Sequence, residues 1–527
     1  MLDLNLQNLV FSLPDRMALM NYVPKSDKKI KIGIYRNHSF ELIEHIIKPY
    51  LDYANLNAEF IYSDYDDSLS FFDLDLTTDC LILWLDVERY HTNNFDAFLK
   101  ERIEELKKVY KKPVLVALLG RENIEVGDQV INFSFDSYYK EFGERMYDLR
   151  LEPFSGTKLA AKVSLKVAKE LGLKYIPALV EPCLKAVVLD LDNTLYKGVL
   201  GEDGYKDIDL TSGHKKLQQW LKNLKNQGFF LCVVSKNEQK DVLKMFENRK
   251  DFPLSVEDFS VIMCSWDNKS VSIQSVAKKL NIGMDSILFV DDNPGELMQV
   301  FHEIPNMKFL LAQENAENTL EMLQYYPGLK KIKNEYEDSI RTADAQANEK
   351  RNELKSKLNM EDYIRSLKIE LYFDIDNMKQ ISRVSELANK TNQFIFNYKR
   401  YSVSEVEDLM QRSDAVVVAV KLSDCLSDSG IICVCVAEKK VDYVDISECF
   451  VSCRALGRGI DEIIVNGAIE TARQKLGFEQ IHVNFQKGAR NLPAEKYVEQ
   501  NLINYCEKPE KWSYRFPEGL VEIKKGE

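Results

Sequence analysis

Two aspartates one residue apart close an apolar run in "KAVVLDLDNT", at Asp190 and Asp192. Carboxylates at the end of a buried strand are unfavourable unless a positive charge sits between them. Further polar groups stand in equivalent places. Ser235, Lys236 and Asn237 end or follow "FFLCVVS", Lys269 opens a helical stretch after "FSVIMC", and Asp291 and Asp292 end "SILFVDD". Carboxylates gathered around one position suit a hard cation that prefers oxygen ligands and keeps waters for a phosphate, namely Mg²⁺. Ser235, Lys269 and the backbone N–H groups after Asp192 can hold phosphate oxygens. One aspartate of the pair can then attack phosphorus while the other handles the proton of the leaving group.

These groups meet only if their strands are parallel and open onto one crevice. The sequence meets that condition: from Ala186 to Asp292 short apolar runs alternate with amphipathic helical stretches, as in a doubly wound unit. An earlier unit alternates likewise through "IKIGIY", "AEFIY", "CLILWLD", "PVLVALLG" and "QVINF". Around 327–362 the composition turns almost wholly charged and reads as a solvated helical linker. Beyond it "KIELYFD", "AVVVAVKL", "GIICVCVA" and "VDYVDISECFVSC" run in succession. A helix from about Gly459 to Leu476, a strand "QIHVNF" and another helix follow, the order of an α+β domain with a largely antiparallel sheet. The expected architecture is α/β and multidomain. An N-terminal segment covers 1–28, a flavodoxin-like parallel sheet 29–181, and a Rossmann-like phosphate-site domain 182–322. The charged linker covers 323–364 and the α+β domain 365–527.

Composition narrows the function class. The chain has 527 residues, 45% of them hydrophobic and 29% charged, and a formal charge of −13, which disfavours non-specific nucleic-acid binding. The first residues lack the features of a signal peptide and no run approaches a membrane span, so a cytoplasmic protein with no membrane partner is expected. The 10 cysteines include no CxxC pair, in keeping with a reducing compartment. Cys433 and Cys435 alternate along one strand and read as core. None of the 6 histidines falls in the polar strand ends, so chemistry is expected from carboxylates, lysine or thiols.

"DLDNT", "VVSKN", the lysine of "SWDNKS" and "VDDN" resemble the successive motifs of the haloacid dehalogenase-like (HAD) superfamily. The resemblance implies Asp190 as nucleophile or metal ligand and Asp192 as acid/base, its backbone carbonyl also on the metal. It implies phosphate binding by Ser235 and Lys269, and Mg²⁺ ligation by Asp291 with Asp292 in support. The stretches between motifs are too short for an inserted cap domain. Water exclusion is then left to a neighbouring domain or to a macromolecular substrate, with "LYKGVLGEDG" as a flap.

"DLDNTLYKGVLGEDG", "SWDNKSVSI", "LNIGMDSILFVDDNPGE" and "LANKTNQF" are similar to the FkbH-like family of HAD proteins, over nearly the whole chain. That resemblance implies an acyl-phosphate enzyme that moves a glyceryl unit from 1,3-bisphosphoglycerate to the thiol of an acyl carrier protein. A HAD phosphatase working through an aspartyl phosphate is the alternative, and a scaffold without activity a third. Tyr196-Lys197 stands where Trp-Gly is common in the family. "CRALGRGI" resembles the RxxGxG pyrophosphate loop of GNAT acyltransferases through Arg454, Gly457 and Gly459, with Arg458 between. The implied ligand is coenzyme A, a phosphopantetheine arm, or none. Cys453 beside it is either an acyl-accepting thiol or a buried cysteine. The N-terminal unit resembles an SGNH hydrolase with Ser39 near the nucleophile's place and Asp148 in the closing block. No histidine follows nearby, so a degenerate scaffold domain is expected.

Overall fold

Ala186, Val187, Val188 and Leu189 are all inaccessible to solvent in the computed structural model and form a central parallel strand. The structure describes residues 3–11, 16–65, 68–92, 94–120, 130–331, 344, 347–348, 350–351, 353–391, 393–452, 455–456, 458–488 and 491–525. Three sheets organise the chain.

The first holds β1 (Lys29–Arg36), β2 (Asn57–Tyr62), β3 (Cys80–Asp86), β4 (Val114–Leu119) and β5 (Val130–Phe133), in the order β2-β1-β3-β4-β5. The second holds β6 (Ala186–Leu189), β7 (Phe230–Ser235), β8 (Val261–Cys264), β9 (Ile287–Asp291) and β10 (Lys308–Leu311), in the order β10-β9-β6-β7-β8. Every pairing in both sheets is parallel. The third is mixed: β11 (Glu370–Ile375), β12 (Ala415–Ser423), β13 (Asp428–Lys439), β14 (Val444–Val451), β15 (Gln480–Val483), β16 (Glu510–Lys511) and β17 (Glu522–Lys525). Its order is β16-β15-β14-β13-β12-β11-β17, with only β14–β15 and β11–β17 parallel. Thus the chain is α/β and multidomain, and its last sheet has the expected succession of antiparallel strands.

The second sheet shows why its strands read as unbroken apolar runs. Val187 and Leu189 pack on one face with Leu231, Val233 and Leu288, while Ala186 and Val188 pack on the other with Cys232, Val234 and Phe289. Helices cover both faces, so neither register position can be polar. Local signals fix where those helices start. Thr211 accepts a hydrogen bond from the backbone N–H of His214 at the start of helix Ser212–Asn226. Asn293 does the same for Gly295, with Pro294 opening helix Pro294–Glu303. The N-terminal helix Leu4–Phe11 ties two units together. The Gln7 amide donates to the Leu311 carbonyl at 3.4 Å and accepts from the Leu311 N–H at 3.3 Å, which covers the open edge of β10.

Four sequence expectations change. The glycine-rich stretch after Asp192 is not an open flap loop: Gly198, at φ +114°, turns the chain into helix Leu200–Asp207. The helix expected from Gly459 starts at Asp461. The edge strands β10, β16 and β17 escaped the sequence reading, being no longer than 4 residues. The charged linker is not simply solvated, because Asp344 and Arg351 are buried. Two aspartates and two arginines satisfy one another there: Arg351 Nε lies 2.8 Å from Asp424, and Arg458 contacts Asp344 at 3.3 Å and Asp424 at 3.2 Å. Among the described residues no helix is long and apolar enough to cross a membrane.

Candidate active site

In the second sheet the chain steps from β6 out to β7 and β8 on one side, then crosses back to lay β9 and β10 on the other, so the strand order reverses beside β6. The carboxyl ends of β6, β7 and β9 therefore face one crevice. Asp190 follows β6, Ser235 ends β7 and Asp291 ends β9. Lys269 enters from the first position of helix Lys269–Leu280.

The carboxylates of Asp190, Asp291 and Asp292 each place an oxygen within 4.8 Å of the others. The buried ammonium of Lys269 lies 2.6 Å from Asp291 Oδ2 and 3.2 Å from Asp190 Oδ1. The Asn293 N–H donates to Asp291 Oδ1 at 2.9 Å. Burial raises the Asp190 carboxyl to about 6, with Lys269 pulling the other way and Asp291 adding to the rise. Burial likewise raises Asp291 against the pull of Lys269, and burial with the charge of Asp190 raises Asp292. For Lys269, burial favours the neutral amine, but Asp190 and Asp291 overcome it and hold the lysine charged.

The donor set fits a hard divalent cation. With all three carboxylates ionised, one ammonium would leave two negative charges in a site where Asp190 and Asp291 are buried. Asp190 Oδ1 is itself buried with no hydrogen-bond donor beyond that ammonium. Oxygen-only donors at surplus negative charge are what Mg²⁺ selects.

Asp192 is held apart from this cluster. Its Oδ1 accepts from the Tyr196 hydroxyl at 2.6 Å and from the Leu200 N–H at 3.0 Å, and its Oδ2 accepts from Asn237 at 2.9 Å. Asn237 also donates to Ser235 Oγ at 3.1 Å, which links the two strand ends. The structure thus brings Asp190, Ser235, Lys269, Asp291 and Asp292 together and aims the Asp192 carboxylate by three donors. Tyr196 was legible only as a departure from a family pattern. Its hydrogen bond four residues back follows from the turn that carries the Asp192–Tyr196 bridge. All of 186–311 is described, and helices Leu200–Asp207 and Ser212–Asn226 return directly to the sheet, so no cap domain is inserted there.

The other expected sites divide. Cys453, Arg454 and Gly457 lie outside the described residues. Arg458 is buried, donating to Ser429 at 2.8 Å and ion-paired with Asp344 and Asp424, so its guanidinium is engaged by this chain's own carboxylates. At Gly459, φ is +79°, a left-handed backbone that favours glycine whether or not a ligand binds, and a Cβ would also come within 2.5 Å of Met360 Sδ. In the first sheet, Ser39 Oγ donates to Glu41 at 2.6 Å, and Glu41 pairs with Arg36. The nearest imidazole in sequence, His38, bonds Thr157 at 2.9 Å and stacks on Trp84. Asp148 hydrogen-bonds Lys158 through its backbone.

No protein-family model matches the chain, and no curated protein matches it. Among solved structures it is similar to the N-terminal part of the protein BF1531 from Bacteroides fragilis, described as containing a phosphatase domain complexed with Mg. Identity is 20% and the TM-score 0.46, over 62% of this chain and 98% of that one. A protein described as of the HAD hydrolase family from Streptomyces avermitilis is similar at 15% identity and TM-score 0.21, over 28% of this chain and 86% of its own. A ribosomal-protein-alanine N-acetyltransferase from Brucella melitensis biovar Abortus is similar at 11% identity and TM-score 0.20, over 28% of this chain and 99% of its own. At these values the functional reading rests on this chain's own residues.

Proposed function

We propose that this chain is a Mg²⁺-dependent HAD-type enzyme acting on a phosphate monoester or acyl phosphate, with Asp190 as nucleophile. The observation that carries the reading is the cluster of Asp190, Asp291 and Asp292 around the ammonium of Lys269. Asp190, Asp291 and Asp292, with the backbone carbonyl of Asp192, would hold the cation. Once bound, it would offset phosphate charge and polarise the phosphoryl oxygens. Ser235 and Lys269 bind phosphate oxygens. An Asp190 oxygen attacks phosphorus, the bond from phosphorus to the leaving oxygen breaks, and Asp192 delivers a proton to that oxygen. Asp192 then takes a proton from the water that attacks the aspartyl phosphate, and inorganic phosphate leaves. The three donors on the Asp192 carboxylate support this role because they fix its direction.

Acyl transfer is the second reading, and it rests on the resemblance of "CRALGRGI" to an acyltransferase pyrophosphate loop. A thiol would attack the acyl carbon with phosphate leaving, and a glyceryl unit would pass from 1,3-bisphosphoglycerate to an acyl carrier protein. Coenzyme A or a phosphopantetheine arm would use the loop at Arg454–Gly459. Cys453 would be the relay thiol. Hydrolysis ranks first because the thiols on the strands of the third sheet are buried, which leaves Cys425 as the exposed cysteine among the described residues. Cys433, Cys435 and Cys449 are fully buried, and neighbouring thiols with burial hold Cys435 and Cys449 well above the ordinary thiol range.

The test follows phosphate release from acetyl phosphate with Mg²⁺ or with excess chelator, in wild type, Asp190→Asn and Asp291→Asn. Release is expected only from wild type with Mg²⁺, and intact mass is expected to show phosphate on Asp190. Full activity in chelator would remove the metal from the mechanism. An acyl adduct on a cysteine, with no phosphoryl adduct, would decide for transfer.

A further inference from the structure

Four tryptophans occur in the chain, and one breaks the pattern of the others. Trp84 and Trp512 are buried and Trp220 half-buried, but Trp266 is 69% exposed. A large indole left in water is uncommon unless it serves contact with something else. Its position is set by the phosphate-binding elements. The preceding residue, Ser265, donates its N–H to the carbonyl of Ser235 at 3.2 Å, and Lys269 follows three residues later. The indole also has a polar partner: its Nε1–H donates to Glu238 at 2.8 Å. Glu238 directly follows Asn237, which holds both Asp192 and Ser235. The ring is therefore drawn toward the turn that carries the phosphate groups. Nearby, the same turn carries Lys236, which bridges to Glu296 on helix Pro294–Glu303 at 2.6 Å. Two of the elements that carry the site are thus joined by a charged tie, and an exposed, hydrogen-bonded aromatic plane stands on a third.

We propose that Trp266 is a specificity platform: the organic group attached to the bound phosphate lies against its indole. The substrate class is then a phosphate monoester or acyl phosphate whose organic part presents a flat, apolar face, such as an aryl or unsaturated acyl group, rather than a small polyol. This rests on the phosphate-binding reading of the crevice and narrows it. It points away from a glyceryl group, whose hydroxyls gain little from an aromatic face. The Glu238 tether makes the platform effective, because an indole held in place loses little freedom when a ligand stacks on it.

The test uses the full chain with Mg²⁺ and two non-hydrolysable probes, phenylphosphonate and methylphosphonate, titrated by calorimetry. Wild type should bind phenylphosphonate tighter than methylphosphonate by roughly 2- to 10-fold, the range expected of one aromatic contact. Trp266→Ala should abolish that ratio while leaving methylphosphonate affinity within about twofold, and Trp266→Phe should keep most of it. KM for benzoyl phosphate should rise in Trp266→Ala, with KM for acetyl phosphate unchanged. An unchanged ratio in Trp266→Ala, an equal loss of both probes, or no binding of either by wild type would overturn the proposal. Probe discrimination through Trp266 without turnover of any phosphate would instead fault the catalytic reading and leave the platform standing.

Discussion

Replacing Lys269 by methionine tests the electrostatic logic of the site at its centre. The ammonium is 5% exposed at the side chain and lies 2.6 Å from Asp291 and 3.2 Å from Asp190, whose side chains are 0% and 8% exposed. Methionine keeps most of the volume and removes the charge, which leaves buried carboxylates facing one another. Removing one partner of a buried pair costs about 3–5 kcal/mol. At 1.36 kcal/mol per tenfold, that is roughly two to nearly four orders of magnitude in local opening. Hydrogen exchange read by mass spectrometry on peptides covering β6 and β9 reports that opening directly, and it suits a chain of several domains whose global unfolding is not two-state. Exchange there should quicken by about that factor in metal-free Lys269→Met, with β12 and β13 unchanged. Added Mg²⁺ should protect these peptides more in the variant than in wild type, since it replaces the missing charge. Less than a tenfold change without metal, or no extra protection with it, would refute the picture of one ammonium neutralising the cluster.

Other outcomes follow from particular contacts. Tyr196→Phe removes one of the two donors on Asp192 Oδ1 and leaves the Leu200 N–H; kcat should fall about tenfold with KM little changed, and an unaltered kcat in steady-state assays would exclude a positioning role. Ser39→Ala should leave phosphate release at the wild-type rate, and a fluorophosphonate probe should not label the wild-type hydroxyl, because its partner is Glu41 and not an imidazole. Burial, then the charges of Arg89, Lys158 and Arg36, hold His38 well below the ordinary histidine range, so the folded chain keeps it neutral. Unfolding then takes up a proton once the pH falls below about 6.5, and the stability of the first sheet should drop on the acid side by at most about 1.4 kcal/mol per pH unit. His38→Gln should flatten that limb in hydrogen exchange of β1 and β3 between pH 7 and 5, and an identical pH dependence would contradict it.

The sequence by itself determined the strands of both parallel sheets, the edge strand β10 excepted, and the polar residues at their ends. In "AVVLDLD" and "ILFVDD" an apolar run buried on both faces stops abruptly at carboxylates, and such a run can hardly be placed anywhere but in a covered sheet. That local contrast is why Asp190, Ser235, Lys269 and Asp291 were legible as one site. Tertiary structure decided how the acids divide. Asp292 joins the cluster, while the Asp192 carboxylate is turned aside by Tyr196, the Leu200 N–H and Asn237, the last of these 45 positions away. It also decided the fate of the linker charges. Nothing in the spacing of Asp344 and Arg351 says that they are buried against Asp424 and Arg458. Periodicity reports which face of an element is apolar, and it is a local property. Whether a charge is solvated, paired or aimed at a substrate depends on which distant group packing brings within about 3 Å, because only there does attraction outweigh lost hydration.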